Sequence, residues 1–395
     1  MPIDNQTTIF FYPAWYPHRG DAMFGLFVKR HAEAVSAFVR TGVVFAVGET
    51  RPRGAVYDTV MSEEDGVHTV RVYFRKSGTK GFGTLLNGVR YLRAVAKGYR
   101  TLAGRLGRPD VNHVHVLTRA GLFPLYLRLF SGIPYLVTEH WSRYLPQNPG
   151  AYAGFLRKKL TEKIVRRAYA VLPVSPRLAD AMKAHGLEND RYLIINNVVD
   201  TDAFVPEPHG PACIRWIHVS CFDDGPKNIT GLLDAFAEAR LRQPALHLTL
   251  VGDGVDRGHC ENHARARSLG ADAVTFTGLL QGEALRDTLR GQDAFVLFSR
   301  YENQPVVIIE AFACGLPVVA TAVGSIPEML AGNRGITVAS EDGPALTEAL
   351  LSMGRGGFAF SREAIRAYAV ENFSFTEVGK RLYALYLAAK ENTAP

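Results

Sequence analysis

The chain has 395 residues, more than one ordinary domain, and its composition of 47% apolar and 21% charged residues is that of a soluble globular protein. No apolar run approaches the ~20 residues that cross a bilayer. Met1–Asn5 lacks the basic and apolar regions of a secretory signal. These features exclude a membrane-spanning chain and predict two domains.

The net charge of +7 is unevenly distributed. Residues 1–200 carry 28 Lys and Arg against 15 Asp and Glu, and the remaining residues carry 17 against 23. A basic first half predicts an anionic partner, either nucleic acid or an anionic membrane surface. Two basic clusters lie on helix-like stretches, where a solvated helix face is the alternative to a docking surface: Arg90, Arg93, Lys97 and Arg100, and Arg157–Lys159 with Lys163, Arg166 and Arg167.

Short β-branched and aromatic runs alternate with longer helical stretches, which predicts parallel α/β layers. In the first half the predicted strands are Thr8–Tyr12, Val43–Val47, Val67–Phe74, Val111–Val116, Tyr135–Thr138, Ala170–Val174 and Tyr192–Ile195. The loop Asp200–Pro211 holds three prolines and a glycine and is interpreted as a linker. In the second half the predicted strands are Ile214–Val219, Leu246–Val251, Val274–Phe276, Ala294–Phe298, Val318–Thr321 and Ile336–Val338. The pattern favours two doubly wound domains that meet at a cleft, with ligands beyond the carboxyl ends of the strands.

The four cysteines show neither a CxxC pair nor a metal-ligand spacing. We interpret them as buried free thiols in a reducing, cytoplasmic compartment. They are Cys213, Cys221, Cys260 and Cys314.

The segment Ser299–Leu330 carries the densest signal. After an apolar strand and a polar turn, Pro305 occupies the predicted first position of a helix, where its missing N–H is not needed. The helix is predicted to run from Val306 to about Cys314, and Gly315 to end it.

The start of this helix is a candidate anion site, because Val306 and Val307 would offer free amides to a diphosphate. Glu302 precedes the helix and Glu310 follows eight residues later. At ~1.5 Å rise per residue their separation approaches the length of a ribose-diphosphate. One carboxylate would then bind sugar hydroxyls and the other ribose hydroxyls. Two unrelated surface glutamates are the alternative, and the spacing alone does not decide between them.

With its flanking residues, SRYENQPVVIIEAFACG resembles the donor-binding motif of glycosyltransferase family 4, the group 1 glycosyltransferases of GT-B fold. HVSCFDDGPKNITGLLDAF is similar to the strand, loop and helix that present the family's phosphate-binding lysine, here Lys227. LVGDG, which contains Gly252, is similar to the second strand and turn. FTGLL, with Leu279 and Leu280, resembles the loop whose backbone recognises the base, and INNVVDTDAF resembles the lead into the interdomain linker.

The resemblance also covers the first half. YPAWYPHRGDAMFGLFV resembles the family's first glycine-bearing loop, and Gly25 is its candidate donor contact, with an ordinary strand-to-helix connection as the alternative. His140, in TEHWSRY, is similar to the family's histidine that reaches the donor sugar, with a structural histidine as the alternative. His113 and His115 alternate with valines on a predicted strand. We interpret them as residues that pack in the core or support neighbouring site residues, rather than as metal ligands, because no third ligand has a suitable spacing.

The resemblance implies a GT-B protein of class α/β, with two doubly wound Rossmann-like domains facing a central cleft. It assigns residues 1–205 to an acceptor-side domain, 206–375 to the nucleotide-sugar-binding domain and 376–395 to a helix packing back on the first domain. Catalytic roles fall to Glu302, Lys227 and His140, and no metal or cofactor is implied. We interpret Asp223 and Asp224 as a solvated pair.

Two positions depart from the family's pattern. An arginine often stands six residues before the lysine, where this chain has Cys221. A glycine usually stands near Pro305, where Asn303 and Gln304 are expected to contact the donor through side chains instead.

The sequence therefore predicts a retaining, metal-independent glycosyltransferase that uses a UDP-sugar, or else a GDP-sugar, in polysaccharide or glycoconjugate biosynthesis. Its partners would be the donor and a glycan or lipid-linked acceptor, with an anionic membrane surface as a docking partner at the inner face of the cell membrane. A nucleotide-sugar epimerase or a phosphorylase is the alternative within the fold, and a non-catalytic phosphate-binding or nucleic-acid-binding protein is a remote alternative. No nucleic acid partner is expected, because the basic half lacks a basic and aromatic array.

Overall fold

The computed structural model describes residues 4–53, 56–79, 81–208, 214–356 and 360–392. The chain forms two compact units: Met1–Val198 with Phe375–Pro395, and Val199–Ser374. The end of the predicted linker, 209–211, and the predicted thiol Cys213 lie outside the described residues.

The first unit contains a seven-stranded sheet in the order β3-β4-β2-β1-β5-β6-β7. The strands are β1 (Asp4–Pro13), β2 (Val39–Glu49), β3 (Tyr57–Glu64), β4 (Val67–Arg75), β5 (Val111–His115), β6 (Tyr135–Glu139) and β7 (Ala170–Pro173). The helices are α1 (Leu26–Ser36), α2 (Phe82–Leu106), α3 (Leu122–Ser131), α4 (Phe155–Arg167) and α5 (Pro176–Ala184), with 3-10 turns at Arg119–Gly121 and Ser142–Tyr144. Every neighbouring pair is parallel except β3 and β4. The central strands are buried on both faces, as continuous apolar runs require.

The second unit contains a six-stranded, wholly parallel sheet in the order β10-β9-β8-β11-β12-β13. The strands are β8 (Arg215–Val219), β9 (His247–Val251), β10 (Val274–Gly278), β11 (Ala294–Leu297), β12 (Val318–Thr321) and β13 (Gly335–Val338). The helices are α6 (Asp224–Lys227), α7 (Ile229–Arg242), α8 (Arg257–Ala266), α9 (Gly282–Arg290), α10 (Val306–Ala313), α11 (Ile326–Leu330), α12 (Gly343–Gly354) and α13 (Arg362–Phe373). The strand order reverses between β8 and β11, so their carboxyl ends frame the crevice where ligands bind in such sheets.

After the second unit, the chain returns to the first as α14 (Phe375–Glu391). Its apolar face, including Leu382 and Tyr386, joins the core formed by α1 and the central strands. The contact is close, because a Cβ at Gly379 would lie 2.4 Å from the carbonyl oxygen of Ala34.

The predicted pair of doubly wound α/β domains is confirmed, and four details of the prediction are wrong. Tyr192–Ile195 forms an isolated bridge to Val171 rather than a strand. Strand β3 was not predicted, because an edge strand with mostly half-exposed and exposed residues carries no apolar run. Pro305 is the N-cap of α10 rather than its first residue. Cys221 is an exposed thiol, whereas Cys260 and Cys314 are buried as predicted.

Among the described residues, no helix combines the length and apolarity needed to cross a membrane.

Candidate active site

Lys227 and Glu302 meet at the point where the strand order of the second sheet reverses. Strands β8 and β11 are hydrogen-bonded neighbours, and the loops that follow them carry Lys227 at the end of α6 and Glu302 ahead of α10. Lys227 Nζ lies 2.5 Å from Glu302 Oε1, and Ser299 Oγ donates to the same oxygen at 2.9 Å. The structure thus joins two residues that were predicted to act together from positions 75 residues apart.

The charge of Lys227 is set by two opposing effects. Burial by itself lowers the pKa of the ammonium group, but attraction to Glu302 and the hydrogen bond to it outweigh burial and hold the pKa above its ordinary value. Lys227 is therefore protonated at neutral pH. The stability linked to this raised pKa is complete below the unfolded value and is lost as the pH rises through the folded value.

Arg300 fixes the short helix that presents Lys227. Its guanidinium donates to the carbonyl oxygens of Asp224 and Gly225 at 2.7 and 2.9 Å, and to Asn228 Oδ1 at 2.8 Å. Because Arg300 and Glu302 share one turn, this contact ties the two loops of the site together. The sequence did not reveal this role, because its partners lie on another loop more than 70 residues away.

Asp224 is not simply solvated, as the sequence had suggested. Its carboxylate accepts bonds from the backbone N–H and the hydroxyl of Thr230 at 2.8 and 2.7 Å. Although burial opposes ionisation, these bonds hold the pKa of Asp224 below its usual value. Asp224 therefore organises the loop around Lys227.

A third loop closes on the turn that contains Glu302. The backbone N–H and the hydroxyl of Ser325 donate to the carbonyl oxygen of Asn303 at 2.9 and 2.8 Å. Gly324 has φ +57°, and a Cβ there would lie 2.3 Å from the carbonyl oxygen of Glu302. Gln304 is buried beside this contact. The site therefore depends on a glycine after β12 that the sequence alone had not singled out.

Helix α10 begins next to this turn without a side-chain cap or an acidic residue in its first turn. Val306 and Val307, whose amides were predicted to bind phosphate, are partly exposed. Glu310, further along the same helix, is only 3% exposed. This burial is incompatible with the alternative of a solvated surface glutamate.

The loops after β9 and β10 lie on the other side of β8. Gly252 has φ +144°, and a Cβ there would lie 1.9 Å from the carbonyl oxygen of Ser220, so only glycine permits this approach. Gly252 N donates to the carbonyl oxygen of Gly278 at 2.9 Å. Leu279 is half exposed, whereas Leu280 packs against the core beside α10.

In the first unit, Gly25 lies where α1 meets the loop after β1. It has φ +70° and is the N-cap of α1, and a Cβ there would lie 2.4 Å from the carbonyl oxygen of Trp15. The fold therefore requires glycine at this position. A donor contact stays a prediction.

His140 follows β6 directly and is buried. Its Nδ1 lies 3.0 Å from Asn197 Oδ1, and its Nε2 lies 3.1 Å from His115 Nδ1. Burial, together with nearby His31, holds the pKa of His140 well below its ordinary value, so the ring is neutral at pH 7. The geometry shows a structural role, and a contact with the donor stays a prediction.

Two family models match the chain, and one falls in each unit. Residues 28–197 match a glycosyl transferase 4-like domain, and residues 215–355 match glycosyl transferases group 1. Together the two matches cover most of the chain. The chain is a glycosyltransferase, and its second unit carries the group 1 match.

Individual relatives agree with this assignment. The glycosyltransferase is 27% identical over 309 residues to alpha-D-kanosaminyltransferase of Streptomyces kanamyceticus, a match that covers 70% of this chain and 74% of that protein. Sucrose-phosphate synthase from Thermosynechococcus elongatus has a similar structure, with a TM-score of 0.71, 21% identity and coverage of 97% and 98%. HepE of Anabaena, solved with UDP and glucose, gives a TM-score of 0.68 at 17% identity, covering 96% and 98%. These structures confirm the GT-B fold.

Position 221, where the family often has an arginine, is a cysteine, and Lys227 is the one basic residue between positions 221 and 227. Arg300 is the basic residue beside Lys227, but its guanidinium is bonded to carbonyl and side-chain oxygens and to Glu341 at 2.9 Å. Its role in this arrangement is to position Lys227.

Proposed function

We propose that this glycosyltransferase transfers a sugar from a nucleotide-sugar, UDP-linked first and GDP-linked second, to a glycan or lipid-linked acceptor with retention of configuration. The observation that carries the proposal is the contact between Lys227 and Glu302 at the strand-order reversal, next to the uncapped start of α10. The ammonium group of Lys227 and the backbone amides at the start of α10 lie at the same edge of the sheet, and together they suit a diphosphate. The bound UDP and glucose of HepE support the choice of nucleotide.

In the proposed reaction, Lys227 and the amides of Val306 and Val307 bind the diphosphate and stabilise the charge that grows on it as the glycosidic bond breaks. The phosphates compete with Glu302 for the ammonium group, which frees the carboxylate to accept hydrogen bonds from the sugar. The acceptor oxygen attacks the same face of the sugar from which the diphosphate departs. A phosphate oxygen takes the acceptor's proton, so no protein nucleophile is needed.

The remaining predicted residues complete the donor site. Glu310 would accept hydrogen bonds from the ribose hydroxyls, and the backbone at Leu279 and Leu280 would contact the base. Gly25 and His140 of the first unit would contact the phosphate and the sugar. For this contact, one ring nitrogen of His140 would have to leave its partner, because Nδ1 and Nε2 are paired with Asn197 and His115.

Replacing Glu310 with alanine should weaken the binding of free UDP by about 10- to 150-fold, because a hydrogen bond to a charged group contributes about 1.5 to 3 kcal/mol. Calorimetric titration with UDP measures this change directly. Glu310→Gln keeps the volume of the buried side chain and should show a smaller loss. Glu328→Ala removes an exposed glutamate from the same unit and serves as the control. Equal UDP affinity in Glu310→Ala and the control would contradict the ribose assignment.

We also propose that the reaction needs no metal ion, because Lys227 and the α10 amides supply the positive charge that a metal would otherwise provide. Full activity in excess EDTA is the expected result in a sugar-transfer assay. Loss of activity that Mn²⁺ restores would contradict it.

For the acceptor, we propose that the enzyme works at an anionic membrane surface through α2. Arg93, Lys97 and Arg100 are exposed on this helix, while Arg90 is half-buried and donates to the carbonyl oxygen of Arg75 at 2.8 Å. Three of the four residues in the predicted basic cluster are therefore exposed. Each exposed basic residue can contribute about 1 kcal/mol to the binding free energy at an anionic bilayer.

A further inference from the structure

An open pocket of about 670 Å³ lies at the amino-terminal edge of the sheet in the first unit. Gly132, just before β6, lines it, together with Ala168 and Tyr169 before β7 and the segment Asn189–Arg191. His140 lies at the other end of β6. A strand of this length separates the two places by about 16 Å, at roughly 3.3 Å per residue. The pocket is therefore separate from the residues predicted to reach the donor.

The pocket is strongly basic. Four arginines and one acidic residue, Asp190, line it, and the arginines are Arg128, Arg166, Arg167 and Arg191. They come from three segments of the chain: the end of α3, the end of α4 and the loop that follows α5. A smaller pocket of about 360 Å³, which shares Arg166 and Arg167, adds Lys159 and Lys163 of α4, with Glu162.

Two of the arginines are held in place by the fold. Arg128 donates to the carbonyl oxygen of Gly132 at 2.8 Å. The guanidinium of Arg191 lies 4.2 Å from the centre of the Tyr169 ring. These contacts shape the wall of the pocket and leave both charges in it, because neither partner is an anion.

Arg166 and Arg167 have no such restraint. Both are exposed, and no ion pair within the described part of the chain involves either one. Cations at the last turn of a helix interact favourably with its dipole, which explains a basic end of α4. It does not explain why guanidinium groups from two other segments converge on the same concave surface.

We propose that this arginine pocket binds a phosphate group carried by a second ligand. Guanidinium groups match the oxygens of phosphate in bidentate geometry, and they do so better than ammonium groups. The volume accommodates a phosphate together with part of the molecule that carries it. That molecule is either a lipid headgroup or a soluble phosphorylated compound.

The rim of the pocket bears on the choice between these two sources. Leu129, which lines the pocket, is 45% exposed, and Phe130, the next residue of α3, is 74% exposed. Apolar side chains beside a basic pocket suit a phosphate at a membrane surface. The proposal is independent of the proposed sugar transfer, because none of the pocket residues takes part in that reaction.

The first experiment measures binding of inorganic phosphate by titration at constant ionic strength. The pocket variant Arg166→Gln/Arg167→Gln should weaken binding at least tenfold relative to the wild type. The matched control Arg93→Gln/Lys97→Gln removes the same charge from exposed positions on α2 and should leave it unchanged. The same titration is made with the Lys227→Ala variant, and phosphate that still binds to this variant belongs to the pocket rather than to the proposed donor site.

The second experiment measures co-sedimentation with vesicles of phosphatidic acid or phosphatidylglycerol in phosphatidylcholine, matched in surface charge. If lipid supplies the phosphate, the wild type should prefer phosphatidic acid severalfold, and the pocket variant should lose the preference. The α2 variant should bind both vesicles less, by the same factor. Phosphate binding without a lipid preference would support a soluble phosphorylated ligand.

Two results would overturn the proposal. One is a wild-type protein that does not bind inorganic phosphate. The other is an equal loss of phosphate binding in the pocket and α2 variants, which would reduce the pocket to a general basic surface.

Discussion

Replacing Lys227 with alanine should lower kcat by about 100- to 1,000-fold, the loss expected when one preorganised group that stabilises transition-state charge is removed. The effect should fall on kcat more than on donor affinity, because the leaving diphosphate gains charge as the bond breaks. Steady-state kinetics with the donor identified by a nucleotide-sugar screen measures the change. Circular dichroism and thermal unfolding establish that the variant is folded.

A purely structural ion pair makes a different prediction for the same residues. If Lys227 serves only to neutralise Glu302, the double variant Lys227→Ala/Glu302→Gln should recover activity that Lys227→Ala loses. If Lys227 stabilises the diphosphate, the double variant should be no better than the single one. Lys227→Arg, which keeps the charge, should retain more activity than Lys227→Ala. A folded Lys227→Ala protein with full kcat contradicts the proposed role.

Lowering the pH from 7 to 5 should sharply destabilise the first unit, because it buries four histidines in one cluster. His31, His113, His115 and His140 are at most 8% exposed, and the rings of His113 and His115 lie 4.2 Å apart. Burial, reinforced for most of them by neighbouring histidines, holds the pKa of each below 6.5.

The direction of the effect follows from proton uptake. Well above pH 6.5, neither the folded nor the unfolded histidines bind protons, and the full stability is present. Below pH 6.5 the unfolded chain takes up protons first. Each histidine then lowers the free energy of unfolding by up to about 1.4 kcal/mol per pH unit, until the pH reaches its pKa in the folded protein. Glu33 and Glu139 act oppositely, since burial raises the pKa of each, but they are two groups against four.

Urea unfolding at several pH values between 7.5 and 5 tests this expectation. The free energy of unfolding of the first unit should fall by several kcal/mol across the range. His113→Gln should reduce the slope of the unfolding free energy against pH by about the contribution of one proton. His259→Gln, at an exposed position, should not change this slope. A free energy that stays constant down to pH 5.5 contradicts the buried neutral cluster.

The central strands and helix α10 could be predicted because their signals are local. Ala294–Leu297 and Val318–Thr321 are apolar on both faces, and Gly315 ends α10 with φ +70° where a glycine stop was expected. The spacing between Glu302 and Glu310, eight residues within the segment that resembles the donor-binding motif, is likewise visible in the sequence.

Other features depend on contacts that a local pattern does not encode. Arg300 holds the loop of Lys227 through residues of a distant strand end, and Gly324 is required only because the Glu302 carbonyl approaches it. His113 and His115 were interpreted as packing residues and His140 as a candidate donor contact. The sequence did not show that they form one cluster with His31, since their strands and helix meet only in the folded unit. Strand β3 is stabilised by its pairing with β4 rather than by its own apolar pattern.

We propose that the crevice between β8 and β11 binds the nucleotide diphosphate of the donor. A crystal structure of the protein with UDP would locate the phosphates. Phosphate oxygens should lie within hydrogen-bonding distance of Lys227 Nζ and the amides of Val306 and Val307, with Glu302 released from Lys227. A bound nucleotide whose phosphates lie away from α10, with Lys227 and Glu302 still paired, would contradict it.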